Sequence, residues 1–435
     1  MHIEIEKLVF GGWGLGRVGG KVVFVPYVMP GEVVEAEIVA ERKDYAFAEL
    51  KEVISPAPER QIPVCPHFGF CGGCDYQHIP YALQLKFKKE QLKEEITHIL
   101  GQDIASVIKP ILPSPNAFSY RNRLKLRVKR EGYQVRLGAY KKNTREFIPI
   151  NDCPVAEELI RQCLPVLQTV LSQHAAIATQ ITGVEVFSSQ DEGKGFIVFK
   201  TLIGINKKLL VNMAEELMSS LPFLKDVLYE HMAFVYPRSL FEKGYTQSGL
   251  FYEVEGFRLI RYPGTFFQVN TGQNKNLVRY VKTLLAPDRK EEILELYAGI
   301  GNLSLPLAKV SKRLVGLETN SLAVKNANYN AQLNKVKAIF KRIDVETALE
   351  EFLKEDNAFD HLVLDPPRTG CIRSLKTALS LFHPHKIVYV SCHPATLARD
   401  LKFLLGQGYQ LKTIQPLDMF PQTQHIETIS LLTFG

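Results

Sequence analysis

Residues 291–310, EEILELYAGIGNLSLPLAKV, divide into an apolar run, a turn with two close glycines, Gly299 and Gly301, and a second apolar run. The first run has the length and composition of a buried strand, and the second reads as the helix that follows it. The rhythm recurs downstream: RLVGLE then SLAVKNANYNAQL, DHLVLD then a helix around 373–382, KIVYVS then TLARDLKFLLGQG. Strands alternating with helices specify a largely parallel sheet with crossover helices on both faces, an α/β architecture. Ligands of such a sheet bind outside the carboxyl ends of its strands, so chemistry is expected in the residues just after each strand.

Four sets of residues fall there. Tyr297-Ala298-Gly299-Ile300-Gly301-Asn302 lets the backbone approach a ligand, although Ser304 stands where a dinucleotide-binding loop has its third glycine. Glu318, nineteen residues after Gly299, ends the second strand, where a carboxylate can accept hydrogen bonds from ribose hydroxyls. Alone it would equally be a helix-capping glutamate; with the glycine turn it points to a nucleoside-containing cofactor. In Asp365-Pro366-Pro367-Arg368 the paired prolines stiffen the turn after the third strand and remove two backbone donors. Cys392, in SCHPATLARD, lies at a strand-to-helix junction, where helix-terminal amides favour a thiolate. Cys163 and Cys371 lack that setting and are expected to be buried structural cysteines.

At 435 residues the chain has room for two or three domains. With 46% hydrophobic and 23% charged residues it is neither disordered, collagenous nor a small disulfide scaffold. Lys and Arg exceed Asp and Glu by 53 to 46, a net +7 that permits an anionic partner without demonstrating one. The start, MHIEIEKLVF, has no long apolar core, and no stretch approaches the roughly 20 apolar residues of a membrane span, so no membrane association and a cytoplasmic location are expected. Seven cysteines in a reducing compartment favour metal binding, catalysis or burial over disulfides.

Ahead of the α/β region, residues 1 to about 55 read as short strands around a glycine-rich turn (Gly11, Gly12, Gly14, Gly16, Gly19, Gly20), a small closed β-barrel. The segment LVFGGWGLGRVGGKVVFVPYVMPGEVVEAEIV resembles a TRAM domain, an OB-like barrel appended to RNA-modifying enzymes. Four prolines within 55–66 suggest a linker, and YALQLKFKKEQLKEEITHIL reads as an amphipathic helix packed through Leu85, Leu92, Ile96 and Ile99 with solvated charges. From about 104 to 270 strands and helices mix. In YRNRLKLRVKR a period of two puts Arg121, Arg123, Lys125, Arg127 and Lys129 on one strand face, a track for a phosphate backbone or simply a wet outer face.

Taken together, FFQVNTGQN (266–274), LELYAGIGN, LVLDPPRTG, VSCHPATLARD and PQTQHIETISLL, in this order and spacing, resemble the RNA (uracil-C5)-methyltransferase family over nearly the whole chain. The resemblance implies a class I S-adenosylmethionine-dependent methyltransferase with a Rossmann-like sheet at 266–435, an N-terminal OB-like TRAM barrel at 1–57 that binds RNA, and a central mixed α+β domain at 58–265. It implies that Gln268, Tyr297, Gly299, Asn302, Glu318, Asp344 and Asp365 contact S-adenosylmethionine, that Cys392 is the nucleophile and that Glu427 is the general base. Ala298 stands where the family often has Cys, and His393 where it often has Asn; neither change removes a reacting group. The layout is closest to enzymes of 23S rRNA, with the tRNA T-loop uridine as the alternative substrate. A monomer with no obligate protein partner is expected. An RNA-binding or chaperone protein with a relic methyltransferase domain is the reading from another class, and it needs neither Cys392 nor Glu427.

Cys65, Cys71 and Cys74 form C-x5-C-x2-C, and the glycines of CGGC let a loop wrap a metal centre closely. Thiolates alone also suit zinc, and His67 and His78 are near enough in sequence to serve as ligands. The family resemblance adds Cys153 as fourth ligand and implies a 4Fe-4S cluster.

The chemistry implied explains why a thiol and a carboxylate are needed together. C5 of uracil is a poor nucleophile; a thiolate added at C6 makes it electron-rich, and a base must later remove its proton. A free thiol is only a few per cent ionised at neutral pH, so a helix terminus or a cation, Arg368 or His393, is expected to favour the thiolate of Cys392.

Overall fold

The computed structural model describes residues 1–435 except 132–133, 143, 242–248, 346 and 356–358. Strands β1 (His2–Val9), β2 (Trp13–Val18), β3 (Lys21–Pro26), β4 (Val33–Glu41) and β5 (Tyr45–Ser55) close a barrel in the order β1-β2-β3-β5-β4. Alternate residues fill it, among them Ile3, Ile5, Val23, Val25 and Val34. The glycine-rich segment is not one turn: Gly14 and Gly16 lie inside β2. A Cβ there would meet Val28 Cγ2 at 2.2 Å or the Glu4 carbonyl oxygen at 2.4 Å, so these positions serve close strand approach across a narrow barrel.

Helix α1 (Tyr81–Leu100) departs from its expected amphipathic reading. Leu92 and Ile96 are buried, but so are Gln84, Lys88 and Gln91. Lys88 Nζ donates to Asp418 Oδ1 at 2.6 Å with both side chains out of solvent. A partner 330 residues away makes the buried charge tolerable and is invisible to local periodicity.

The middle of the chain supplies β6 (Arg123–Glu131), β7 (Gln134–Tyr140), β8 (Phe147–Pro149), α2 (Glu158–Gln173), α3 (Ala175–Ala178), β9 (Ile181–Ser189), β10 (Lys194–Thr201), α4 (Lys207–Ser220), β11 (Leu224–Glu230) and β12 (Arg238–Ser239). These strands form a seven-stranded sheet, order β12-β11-β10-β9-β6-β7-β8. Leu126 and neighbouring apolar side chains of the sheet pack on α2 and α4. The cations of β6 take the other face as the period of two requires: Lys125, Arg127 and Lys129 are exposed, and Arg123 and Arg127 lie over the rings of Phe187 and Tyr140. A hairpin, β13 (Leu250–Val254) and β14 (Phe257–Arg261), leads to α5 (Thr271–Leu285), capped by Asn270, whose side chain accepts from Gln273 N.

The α/β region holds β15 (Glu292–Leu296), α6 (Ser304–Ala308), β16 (Arg313–Glu318), α7 (Ser321–Leu333), β17 (Ile339–Arg342), α8 (Leu349–Glu355), β18 (His361–Leu364), α9 (Ile372–Leu379), β19 (Lys386–Ser391), α10 (Pro394–Gly406), β20 (Tyr409–Leu417) and β21 (Glu427–Phe434). The sheet order is β17-β16-β15-β18-β19-β21-β20. The first five strands are parallel, and β21 enters antiparallel between β19 and β20. Strand order reverses between β15 and β18, and the crevice outside their carboxyl ends is the expected ligand site. Two apolar cores, one on each face, bury the sheet. Among the described residues no helix is long and apolar enough to cross a membrane.

Candidate active site

A cavity of about 530 Å³ opens at that crevice. The turn after β15 shapes one wall: Tyr297, Gly299 and Gly301 all have positive φ (64°, 55° and 87°), and a Cβ on Gly299 would touch nothing within 4 Å. The backbone there is bare toward the cavity, which glycine permits and a side chain would fill. Glu318 holds the turn in place, its Oε2 accepting from Gly299 N at 3.0 Å and its Oε1 from Asn320 N at 2.8 Å. Behind it Gly316 is required, since a Cβ would lie 2.9 Å from that of Ala298.

Of the residues expected to contact a methyl donor, Gln268, Tyr297, Gly299, Asn302, Glu318 and Asp365 all line this cavity. Asp344 does not: it is exposed in the loop after β17, where its carbonyl accepts from Thr347 and Ala348 N. Asn302 is oriented by paired amide hydrogen bonds with Asn274, 2.8 Å each, and the Tyr297 hydroxyl meets Ser374 Oγ at 3.0 Å. The motif also brings in Glu295, buried at the end of β15, with its Oε2 accepting from Ser304 Oγ at 2.6 Å. Ser304, in the third-glycine position, therefore serves as the partner of a buried carboxyl. Burial raises Glu295 to about 8 and Asp365 to about 7. Four carboxyl groups line the cavity, Glu295, Glu318, Asp365 and Glu427, a surrounding suited to a ligand that is a cation. With its apolar walls of Phe267, Ile300 and Leu303, the site fits a nucleoside carrying a sulfonium.

Cys392 and Glu427 line the same cavity. Their proximity follows from sheet register: β19 and β21 pair Ser391 with Thr428, so Cys392, just after β19, lies across from Glu427, which precedes Thr428 at the start of β21. Burial, reinforced by Glu427, pushes the Cys392 thiol up to about 12, and Arg368 opposes this as a cation and hydrogen-bond partner. Glu427 is pushed well above the ordinary carboxylate range by burial and by Asp365.

The structure distinguishes the two cations proposed for the thiol. His393 Nδ1 is turned back to cap α10, accepting from Thr396 N at 3.4 Å, and burial and Arg368 lower its pKa, so it is not a cation near neutrality. Arg368 faces the cavity. Its loop is tied to α10: Thr396 Oγ1 donates to the Arg368 carbonyl at 3.1 Å, Arg399 Nη2 to the Thr369 carbonyl at 3.0 Å, and Cys371 N to buried Asp400 at 2.8 Å. Cys371 and Cys163 are buried, as expected of structural cysteines.

Two phenylalanines at the site escaped the sequence reading. Phe266, 62% exposed, and Phe420 flank the cavity. Exposure of a large apolar ring beside acidic and thiol groups is a structural signal with no counterpart in local periodicity.

Elsewhere, Cys65, Cys71, Cys74 and Cys153 line one cavity of about 460 Å³ together with His67 and Arg121. His78 is not part of it: its Nε2 lies 3.1 Å from the Val28 carbonyl and burial lowers its pKa to about 3. Among the described residues no three His, Cys, Asp or Glu side chains converge closely enough for a single metal ion. Burial and mutual repulsion raise the Cys74 thiol to about 12 and Cys153 to about 11.

Comparison with known proteins places this chain in a family. The model of tRNA (uracil-5-)-methyltransferases matches residues 80–434, and that of the TRAM domain residues 1–51. An uncharacterized RNA methyltransferase of Thermosynechococcus vestitus is 36% identical, covering 100% of this chain and 98% of its own. The 23S rRNA (uracil(1939)-C(5))-methyltransferase of Vibrio parahaemolyticus is 32% identical over 99% of this chain and 95% of its own. The solved tRNA (uracil-54, C5)-methyltransferase of Pyrococcus abyssi, in complex with S-adenosyl-L-homocysteine, superposes with a TM-score of 0.75 at 26% identity, covering 100% of both chains. The chain therefore belongs to the tRNA (uracil-5-)-methyltransferase family.

Proposed function

We propose that the protein methylates C5 of a uridine in RNA, with 23S rRNA as substrate, through a covalent bond from Cys392 to C6 of the base. The observation that carries this reading is the convergence of Cys392, Arg368 and Glu427 on the cavity that Gly299, Glu318 and Asp365 also line. When bound there, S-adenosylmethionine supplies the electrophilic methyl group and a positive sulfonium among the carboxylates. Arg368 opposes the burial penalty on the Cys392 thiolate. The thiolate adds to C6, the pair of electrons displaced onto C5 takes up the methyl group, and Glu427 accepts the C5 proton as the C6–S bond breaks and the thiolate is restored. Burial makes the ionised Glu427 more basic, and the Arg368 cation opposes that rise and so favours the carboxylate that must accept the proton. The uridine reaches Cys392 only if unstacked, and exposed Phe266 offers a ring for the extruded or neighbouring base.

The 23S rRNA assignment draws on full-length relatives named for that substrate; the tRNA reading draws on the solved Pyrococcus abyssi enzyme. Methylating 23S rRNA and tRNA transcripts separately decides between them, and exclusive labelling of tRNA would overturn the assignment. A relic domain that only binds or chaperones RNA has no use for a thiol and a basic carboxylate in one cavity.

In the division into 1–57, 58–265 and 266–435, the barrel and the β6 cations grip RNA while the last part carries the chemistry. The four cysteines around one cavity fit a 4Fe-4S cluster in their chemistry, four thiolate donors with no competing ligand set among the described residues. When bound, the cluster would compensate four partly buried thiolates. Asp75, next to Cys74, accepts from Gln424 N at 3.0 Å and from Lys142 Nζ at 2.6 Å, so the cysteine loop braces the segment that leads into Glu427.

A further inference from the structure

A second cavity, about 320 Å³, lies on the other side of Phe266, which lines both. Its walls carry Arg123, Lys125, Lys200 and Arg261 against two carboxylates, Glu185 and Glu230. Arg123, Lys125 and Lys200 share those carboxylates in ion pairs. Arg261 does not. It is 1% exposed, and its Nε and Nη2 both donate to the Thr265 carbonyl, at 3.2 and 3.1 Å. Its Nη1 meets no acceptor among the described residues in hydrogen-bond geometry; the neighbouring Tyr252 hydroxyl, which donates to the Ser188 carbonyl at 2.8 Å, presents its oxygen to the guanidinium more loosely. The guanidinium lies over Phe187, 4.5 Å from the ring centroid, which holds it in place without neutralising it. Arginine keeps its charge in a protein, and the carboxylate that acts on this one, Glu185, is already shared by Arg123, Lys125 and Lys200. The wall is thus incomplete: four cations, two anions and an unsatisfied donor. Lys125, Glu185 and Lys200 also border a smaller cavity beside Arg127, so the positive lining continues along β6.

We propose that this cavity binds a phosphodiester of the RNA strand, one flanking the nucleotide whose base passes Phe266 into the reaction cavity. The proposal rests on the RNA reading above and adds where the backbone is held. Guanidinium groups suit phosphate oxygens, and anchoring one phosphate beside the entrance fixes which uridine can swing inward.

The test is the affinity of a short single-stranded RNA with one uridine, measured across salt concentrations. The RNA carries either all its phosphates or a single uncharged methylphosphonate placed in turn on each side of the uridine. Lys125→Gln/Lys200→Gln is expected to weaken binding about tenfold at 0.1 M salt and to lower the salt slope by about 0.7 for each phosphate no longer neutralised. The methylphosphonate is expected to cost the wild type about tenfold and this variant much less, since both changes remove the same interaction. Arg261→Met removes the buried charge directly, and the lysine pair keeps the test decisive if that variant does not fold; binding of S-adenosylmethionine reports an intact fold in each. Losses that simply multiply would overturn the phosphate site and leave the RNA reading standing. A wild-type protein that binds no RNA would overturn both.

Discussion

The Thr428 hydroxyl donates a 3.0 Å hydrogen bond to the Ser391 carbonyl, and that contact ties together the two strand ends that carry the proposed nucleophile and base. Ser391 precedes Cys392 and Thr428 follows Glu427, so the one strand that runs against the others among the described strands of this sheet, β21, sets the proposed nucleophile and the proposed base across from each other. On the proposed mechanism, the insertion of β21 between β19 and β20 is what brings the two reacting groups together.

If Glu427 removes the C5 proton, Glu427→Gln should still form the Cys392 adduct and transfer the methyl group, then stall. Turnover is expected to fall about 10²- to 10⁴-fold. Denaturing gels should show protein–RNA adduct accumulating with unmodified uridine RNA. Normal turnover by the variant would assign the proton to another group.

Arg368 is expected to govern the ionisation of Cys392. Alkylation by iodoacetamide, followed residue by residue in digested peptides, should rise with pH past 9, because burial holds the thiol near 12. Arg368→Gln should slow it roughly tenfold at a given pH, the range expected for loss of a hydrogen bond to a charged group that is partly solvent-exposed. An unchanged rate would show that helix amides alone set the thiol.

Much of the site is legible in the sequence, for a physical reason. Cys392, Asp365, Glu318 and Gly299 all sit where a strand ends, and a parallel sheet delivers such positions to one crevice whatever the intervening sequence. Glu427 is carried by family resemblance alone, since its place depends on β21 joining the sheet out of order. Lys88 shows the opposite limit: its partner Asp418 lies 330 residues away, and a helix read by its own periodicity puts that charge in solvent. Gly14 and Gly16 look like turn residues because the narrowness of the barrel is not a local property.

The buried carboxyl of Glu295 should make the ligand-free protein less stable as pH rises. Its folded value, about 8, is above the ordinary 4.5, so the stability it contributes is fully present below the unfolded value and lost as pH climbs through the folded one. Glu295→Gln removes that dependence. Its melting temperature relative to wild type should therefore rise by a few degrees from pH 5 to pH 8, measured by calorimetry. A gap that stays flat or narrows would mean Glu295 is ionised in the folded protein.

Protein purified without oxygen should contain iron and acid-labile sulfide in equal amounts, with broad visible absorption. Cys153→Ser is expected to lose most of both and to melt earlier, since the proposed cluster would then no longer tie the loop between β8 and α2 to the 65–74 loop. Zinc in place of iron, or full iron content in the variant, would contradict the four-cysteine assignment.

Covalent attack by Cys392 is put to its sharpest test by incubating the protein with S-adenosylmethionine and RNA carrying 5-fluorouridine, in which fluorine at C5 cannot leave as a proton. The expected product is a methylated protein–RNA complex that survives a denaturing gel, maps to the peptide containing Cys392 and is absent in Cys392→Ser. No such complex, from protein that methylates ordinary uridine RNA in parallel, would refute the covalent route.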